Sequence, residues 1–220
     1  MISRKTLQFL KGLRDNNNKP WFDEHKEDYQ QAKEEFTGFV QRMLDRLASI
    51  EPALSEQQPK DCIFRIFRDV RFSKDKTPYK AHFGAYFSRG GRKYPGAGYY
   101  VQIEPGGNSF AGGGLWMPEG KLLKAVRQEI DYCYDEFSAI ISDAGFRKQF
   151  KGLEGEQLKT VPQGYTADNP AIGYLRMKSF IASRNFTDTE VMSEHFREQL
   201  SETFSSMKDL VDFLNRPLEH

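Results

Sequence analysis

Gly98-Tyr-Tyr-Val-Gln-Ile-Glu104-Pro-Gly-Gly-Asn108-Ser-Phe-Ala-Gly-Gly-Gly-Leu-Trp116 is the stretch whose reading decides the fold. Tyr99, Val101 and Ile103 fall on one face of an extended chain, because strand side chains alternate. Pro105-Gly-Gly-Asn108 has the composition of a hairpin turn, so 109–116 is expected to return beside 98–104. Upstream, His82 to Ser88 alternates in the same way, with Phe83, Ala85 and Phe87 on one face, and Cys62 to Phe67 is a further candidate strand. Eleven of the 18 glycines lie between Gly84 and Gly120. That density favours tight turns and bulges in an antiparallel meander over a parallel sheet. Gly112-Gly113-Gly114 reads as a bulge at the sheet edge, since the spacing to Gly120-Lys121 and the Leu at 122 do not fit a phosphate loop.

Helical periodicity flanks this region. Ser3 is placed to cap a short helix carrying Leu7, Leu10 and Leu13, which ends in the Asp15-Asn16-Asn17-Asn18 run. Tyr29, Phe36, Val40, Met43 and Leu47 lie at helical spacing on a helix expected over 20–48. Leu122, Val126, Ile130, Cys133, Phe137 and Ile141 mark another over 118–142. Thr187 and Glu190 form a capping box opening a last helix over 188–215, with Met192, Phe196, Leu200, Phe204, Met207, Val211 and Leu214 in its stripe. These elements predict one α+β domain over 1–217, a mainly antiparallel sheet at 62–116 packed by long α-helices. Leu218-Glu219-His220 reads as an expression-tag scar.

The net charge is +1 over 220 residues, which gives no global argument for nucleic acid or membranes. The charge is nonetheless uneven: 60–93 carries a net +7 and the remainder −6. Two cysteines, Cys62 and Cys133, point to reduced thiols and a cytoplasmic protein. No apolar run reaches membrane-spanning length, so no membrane partner is expected. His25, His82 and His195 are isolated from other ligand types, so no metal site is predicted, and no cofactor is assigned.

Within the basic segment, Arg65-Ile-Phe-Arg68-Asp69-Val-Arg71-Phe72-Ser-Lys-Asp-Lys76-Thr-Pro78-Tyr79-Lys80 interleaves cations with aromatics. Guanidinium groups match the oxygens of carboxylates and phosphates. Arg65, Arg68, Arg71 and Lys76 are the candidate anion ligands, with Asp69 orienting an arginine and Tyr79 lining the site. Lys80, His82, Arg176 and Lys178 are further candidates, His82 as a general acid/base. In a straight strand Arg65 and Arg68 point to opposite faces, so their convergence requires a break near Arg68. The competing reading pairs these arginines with the acidic helix faces at Glu24, Glu27, Glu34 and Glu35. No nucleophile or acid/base pair is complete, so neither an enzyme nor a catalytic residue is assigned.

The pattern Arg65-x-x-Arg68-Asp69-x-Arg71-Phe72-x-x-x-Lys76-x-Pro78-Tyr79 resembles the signature of a bacterial and fungal family, the domain of unknown function 2461. Phe9-Leu-x-x-Leu13, Asn16-Asn17, Trp21-Phe22, Lys26 and Tyr29 are similar to its N-terminal block, and Leu175-Arg176-x-Lys178-Ser179-Phe180 to a later one. The resemblance implies no activity; it marks these positions as the place to seek a site. Three functions follow as expectations. The first is an anion pocket for a phosphorylated or carboxylated small molecule. The second is nucleic-acid binding through the same cationic face. The third is a non-enzymatic protein-interaction module whose arginines form structural salt bridges.

Overall fold

The computed structural model describes residues 1–219; His220, the last residue of the expected tag scar, lies outside them. In chain order the elements are α1 (Arg4–Asp15), α2 (Lys19–Glu24), α3 (Lys26–Leu47), α4 (Pro59–Cys62), β1 (Phe83–Phe87), β2 (Gly98–Ile103) and β3 (Ser109–Leu115). There follow α5 (Gly120–Tyr132), α6 (Tyr134–Ser142), α7 (Ala144–Gln149), α8 (Ile172–Leu175), β4 (Phe180–Phe186), α9 (Asp188–Met192), α10 (Phe196–Ser205) and α11 (Lys208–Asn215). The four strands form one antiparallel sheet in the order β1-β2-β3-β4. The protein is therefore α+β, and β1 to β3 form the meander that the alternation and the turn composition predict.

The chain divides into two compact units. The first comprises Met1–Lys93, Tyr100–Ala111 and Asn185–Glu202. Its core is largely aromatic: Phe36 stacks on Phe83 at 5.1 Å, Phe39 on Phe196 at 5.7 Å, and Phe186 meets Phe196 edge-on at 5.3 Å. Ser3 Oγ accepts from Thr6 N at 3.2 Å and starts α1 as expected. Asp188, at the first position of α9, accepts from the Gly106 and Gly107 amides at 2.9–3.1 Å and so ties down the β2–β3 turn. The Thr187–Glu190 capping box forms.

The second unit comprises Tyr94–Tyr99, Gly112–Arg184 and Thr203–His220, of which residues up to Glu219 are described. Buried Asn215 clamps Ala97 from both sides, accepting from its N–H at 2.8 Å and donating to its carbonyl at 3.1 Å. Because β3 lies between β2 and β4, Gly112-Gly113-Gly114 is not the expected edge bulge. Gly114 has φ +119°, and a Cβ there would sit 2.0 Å from the Phe180 carbonyl. Only glycine admits such an approach.

Three helices expected to be continuous are segmented. The 20–48 helix breaks at His25, whose ring stacks 3.9 Å from Trp21 and whose Nδ1 lies 2.9 Å from the Trp21 carbonyl. The 118–142 helix breaks at Cys133, with φ −113° and ψ 37°. The last one runs as α9, α10 and α11. Most of the apolar stripe of the last helix survives these breaks: Phe196, Leu200, Phe204, Met207, Val211 and Leu214 are buried, whereas Met192, at the end of α9, is only half-buried.

Candidate functional site

Residues 62–67 do not form a regular strand. They run antiparallel to 79–85 through two isolated bridges, Phe67 with Tyr79 and Ile63 with Ala85. Between these bridges three residues, 64–66, face five, 80–84. The Lys80 N–H donates to Ile66 O at 2.8 Å and the Phe64 N–H to Gly84 O at 2.9 Å, so the surplus lies at Ala81–His82. A bulge of this kind re-aims side chains and ends regular pairing. A bulge thus falls opposite Arg65, and the bridged ladder itself ends at Phe67, next to Arg68.

One end of this ladder is anchored by Tyr79. Its ring stacks on Phe22 at 4.1 Å and contacts Phe67 at 5.5 Å, leaving it 5% exposed. Asn17 donates from Nδ2 to the Tyr79 carbonyl at 2.9 Å and accepts the Tyr79 N–H through Oδ1 at 3.1 Å. Tyr79 is consequently a packing residue; its ring does not line an open surface. At the other end Gly84 lies under Tyr100, where a Cβ would meet the hydroxyl oxygen at 2.5 Å.

Phe64 is the hub of the candidate site. Lys80 Nζ lies 5.4 Å from its ring centroid and Arg92 Cζ 5.9 Å, both within cation–π range. Tyr100 approaches the same ring edge-on at 6.1 Å. Arg92 donates to the carbonyls of Asp61 at 3.1 Å and Lys60 at 2.9 Å, contacts that hold the guanidinium without neutralising it. Arg65 and Lys80 have no side-chain hydrogen bond or carboxylate partner among the described residues. Burial lowers the Lys80 ammonium pKa, and the nearby charges of Arg65, Arg68 and Arg92 lower it further.

An acid–base chain adjoins these cations. Tyr100 Oη donates to Gln102 Oε1 at 3.0 Å, and Gln102 Nε2 donates to Glu104 Oε2 at 2.6 Å. The same carboxylate oxygen stands 3.7 Å from His82 Nδ1. Burial, then the charges of Lys80 and Arg68, brings His82 down to about 4, so the imidazole is neutral at physiological pH. Glu104 favours the imidazolium, but desolvation and the two cations outweigh it. The contact is therefore one between a carboxylate and an uncharged ring. Burial, with Glu104 adding to it, pushes the Tyr100 phenol up to about 12.

The outer part of the motif behaves differently. Arg68 donates to Asp75 and Thr77, and Asp75 is held down at about 2, chiefly by that guanidinium. Arg71 grips Asp69 through two bonds of 2.9 and 2.7 Å. Lys76 Nζ donates to the Val70 carbonyl at 2.9 Å. Phe72, beside Arg71, is 95% exposed. Arg176 and Lys178 belong to the second unit, where Lys178 pairs with Glu156 at 3.0 Å. Of the sequence candidates, then, Arg65, Lys80 and His82 share one electrostatic neighbourhood with Arg68 beside it, whereas Asp69, Arg71 and Lys76 pair within their own loop.

Sequence reasoning missed Phe64, Arg92, Tyr100, Gln102 and Glu104. The signal for the last three was present, since they alternate with the buried Tyr99, Val101 and Ile103 and so share the opposite face of β2. Arg92 carried no comparable signal. A pocket of about 610 Å³ lies elsewhere in the first unit, lined by residues of α1, α2 and α3 that include Phe9, Trp21, Asp28 and Glu35. None of the candidate anion ligands reaches it, but Phe9 and Trp21 of the N-terminal block that resembles the family line it. Among the described residues, no three or more His, Cys, Asp or Glu side chains gather as a metal-ligand set, and no helix is long and apolar enough to cross a membrane.

No curated protein and no solved structure matches the chain. A family model described as "Conserved hypothetical protein (DUF2461)" matches residues 5–213, nearly the whole length, and includes every residue of the cation cluster and its acid–base chain. The chain belongs to the DUF2461 family.

Proposed function

We propose that the protein binds a small molecule through a phosphate or carboxylate group held by Arg65, Lys80 and Arg92 beside Phe64. The observation that carries this reading is Lys80, on which only positive charges act, with Arg65 free of any side-chain hydrogen bond and Arg92 donating only to backbone carbonyls. Like charges kept together without counter-charge are unfavourable in the ligand-free protein, and a bound anion relieves that repulsion. Phe64 supplies an apolar face for the body of the ligand. Arg68 contributes to the field of the site, but its own donors are engaged by Asp75 and Thr77. The free thiols, with Cys62 buried, support a reducing compartment such as the cytoplasm.

Isothermal titration with inorganic phosphate, pyrophosphate and citrate tests the proposal. Saturable binding is expected, weakened roughly tenfold, or about 1.4 kcal/mol, by Arg65→Ala and unchanged by Arg71→Ala. Absence of heat with all three anions removes the basis of the reading. A second reading, single-stranded nucleic acid, draws on the exposed Phe72 ring beside Arg71 as a stacking platform. It predicts oligonucleotide affinity that falls steeply with salt and is lost in Phe72→Ala. The small-anion site predicts indifference to that substitution.

A further inference from the structure

The 610 Å³ pocket of the first unit is a groove between α1 and α3, apart from the cation cluster. Asp28, Gln31, Ala32 and Glu35 line it from α3, at the spacing that puts side chains on one helix face. Asp28 and Glu35 stand about 10 Å apart along the helix axis, and the short side chain of Ala32 leaves the stretch between them open. Lys5, Thr6, Gln8 and Phe9 line the groove from α1. Trp21 and His25 build one end, their rings stacked at 3.9 Å. A Cβ on Gly12 would sit 2.7 Å from the indole, so glycine there lets Trp21 lie against α1. At the other end Glu35 accepts from Ser3 N and Ser3 Oγ, each at 2.8 Å, and from the Thr6 hydroxyl.

The polar groups of this groove divide into satisfied and unsatisfied ones. Glu35, Ser3 and Thr6 satisfy one another at the start of α1, where the helix dipole offsets the carboxylate charge. The side chains of Lys5, Gln8, Asp28 and Gln31 are exposed and make no hydrogen bond or ion pair among the described residues. His25 Nδ1 lies 2.9 Å from the Trp21 carbonyl, so it carries the hydrogen and Nε2 of the neutral ring is left as an acceptor. Lys5 and Asp28 cancel in charge, so neither an anion nor a polycation meets an excess of opposite charge. A matching ligand must donate to Asp28 and His25, accept from Lys5, and pair with two amides that do both. Hydroxyl groups donate and accept at once, and a hydroxylated ring also carries C–H surface for the aromatic end. We propose that the groove binds a neutral mono- or disaccharide, its hydroxyls held by Gln8, Asp28 and Gln31 and its C–H surface set against Phe9 and the Trp21–His25 pair. The groove's size is that of small-molecule sites in general, and the assignment does not depend on the anion site at Phe64.

Isothermal titration of the wild-type protein with glucose, galactose, N-acetylglucosamine and maltose tests this. Saturable binding of at least one is expected, weakened about tenfold or more by Gln31→Ala and by Asp28→Asn and unchanged by Arg65→Ala. Both groove positions are exposed, so the urea midpoints of these variants should stay close to that of the wild type. Fluorescence supplies a second readout, because Trp21 and Trp116 are the two tryptophans of the chain. In Trp116→Phe, which replaces an exposed ring, the sugar should change Trp21 emission with the same midpoint as the heat. Adenosine and putrescine should bind more weakly than the best sugar; tighter binding of either overturns the assignment to sugars. No saturable binding of any of the four sugars overturns the proposal, and so does binding that both Gln31→Ala and Asp28→Asn leave unchanged.

Discussion

Between Asp69 and Thr77 the ionic groups satisfy one another: Arg71 holds Asp69, Asp75 holds Arg68, and Lys76 reaches a carbonyl six residues back. At the other end of the same motif, Lys80 shares a neighbourhood with Arg65 and Arg92, and neither Arg65 nor Lys80 forms a salt bridge; Arg65 acts on the Asp69 carboxylate only through its field. The two regions have similar composition and opposite electrostatic outcomes. The outer one is a loop whose exposed pairs are screened by solvent and contribute little. In the inner one Arg65 and Arg92 are themselves exposed, but Lys80 and His82 are partly buried near Phe64 and Tyr100, where desolvation and neighbouring positive charge lower their proton affinities. Local composition alone does not separate a solvated ion-pair loop from a candidate site; partners and burial do.

The contrast breaks most completely if the frame between the two regions is removed. Tyr79→Ala takes out the ring packed against Phe22 and Phe67 and is expected to cost about 3–4 kcal/mol in urea unfolding. It should also abolish anion binding at the inner end. A loss below about 1 kcal/mol would mean that Tyr79 does not anchor the ladder.

The next effect is a pH dependence specific to the inner region. His82 titrates at about 4 when folded and near its ordinary value of about 6.5 when unfolded, so the unfolded chain binds the extra proton between these values. Stability from this group is fully present above about pH 6.5 and is lost as pH falls to about 4, by up to about 3 kcal/mol. The wild type should lose stability relative to His82→Gln as pH falls from 7 to 4, because glutamine takes up no proton in the unfolded chain; parallel denaturant-midpoint curves would show that His82 contributes no such linkage. Asp75, in the outer loop, is depressed as well, but from the carboxylate range, so its contribution is lost only as pH falls from about 4 toward 2.

Asn17→Ala removes both hydrogen bonds to the Tyr79 backbone and should destabilise by about 2 kcal/mol, with hydrogen exchange accelerating at the Tyr79 amide. Unchanged exchange at that amide would place the anchoring elsewhere. The smallest effect belongs to the outer loop. Phe72→Ala, at a ring almost wholly in solvent, should change stability by less than about 0.5 kcal/mol. A larger loss would show that this loop takes part in the frame.

Much of the fold was legible in particular residues. Tyr99, Val101 and Ile103 announced β2, Pro105 to Asn108 its turn, Ser3 the start of α1, and Thr187 with Glu190 the start of α9. Residues of the N-terminal block that resembles the family, Asn17, Phe22 and Tyr29, meet around Tyr79 and serve as scaffold. Helix interruptions at His25 and Cys133 were invisible because the apolar period continues across them. Arg92 was missed because its place beside Phe64 depends on contacts with Lys60 and Asp61, about thirty residues earlier.

Taken alone, the sequence determined the α+β class, the antiparallel meander, the caps and the concentration of positive charge in one segment. Each of these depends on alternation, helical period or turn chemistry, which neighbouring residues set between them. Only the tertiary structure decided that a bulge lies opposite Arg65, that Tyr79 is packed, and that Lys80 and Arg65 form no salt bridge while Arg68 and Arg71 are paired. Those outcomes depend on distance and desolvation among groups far apart in the chain, and residue order does not encode such quantities locally.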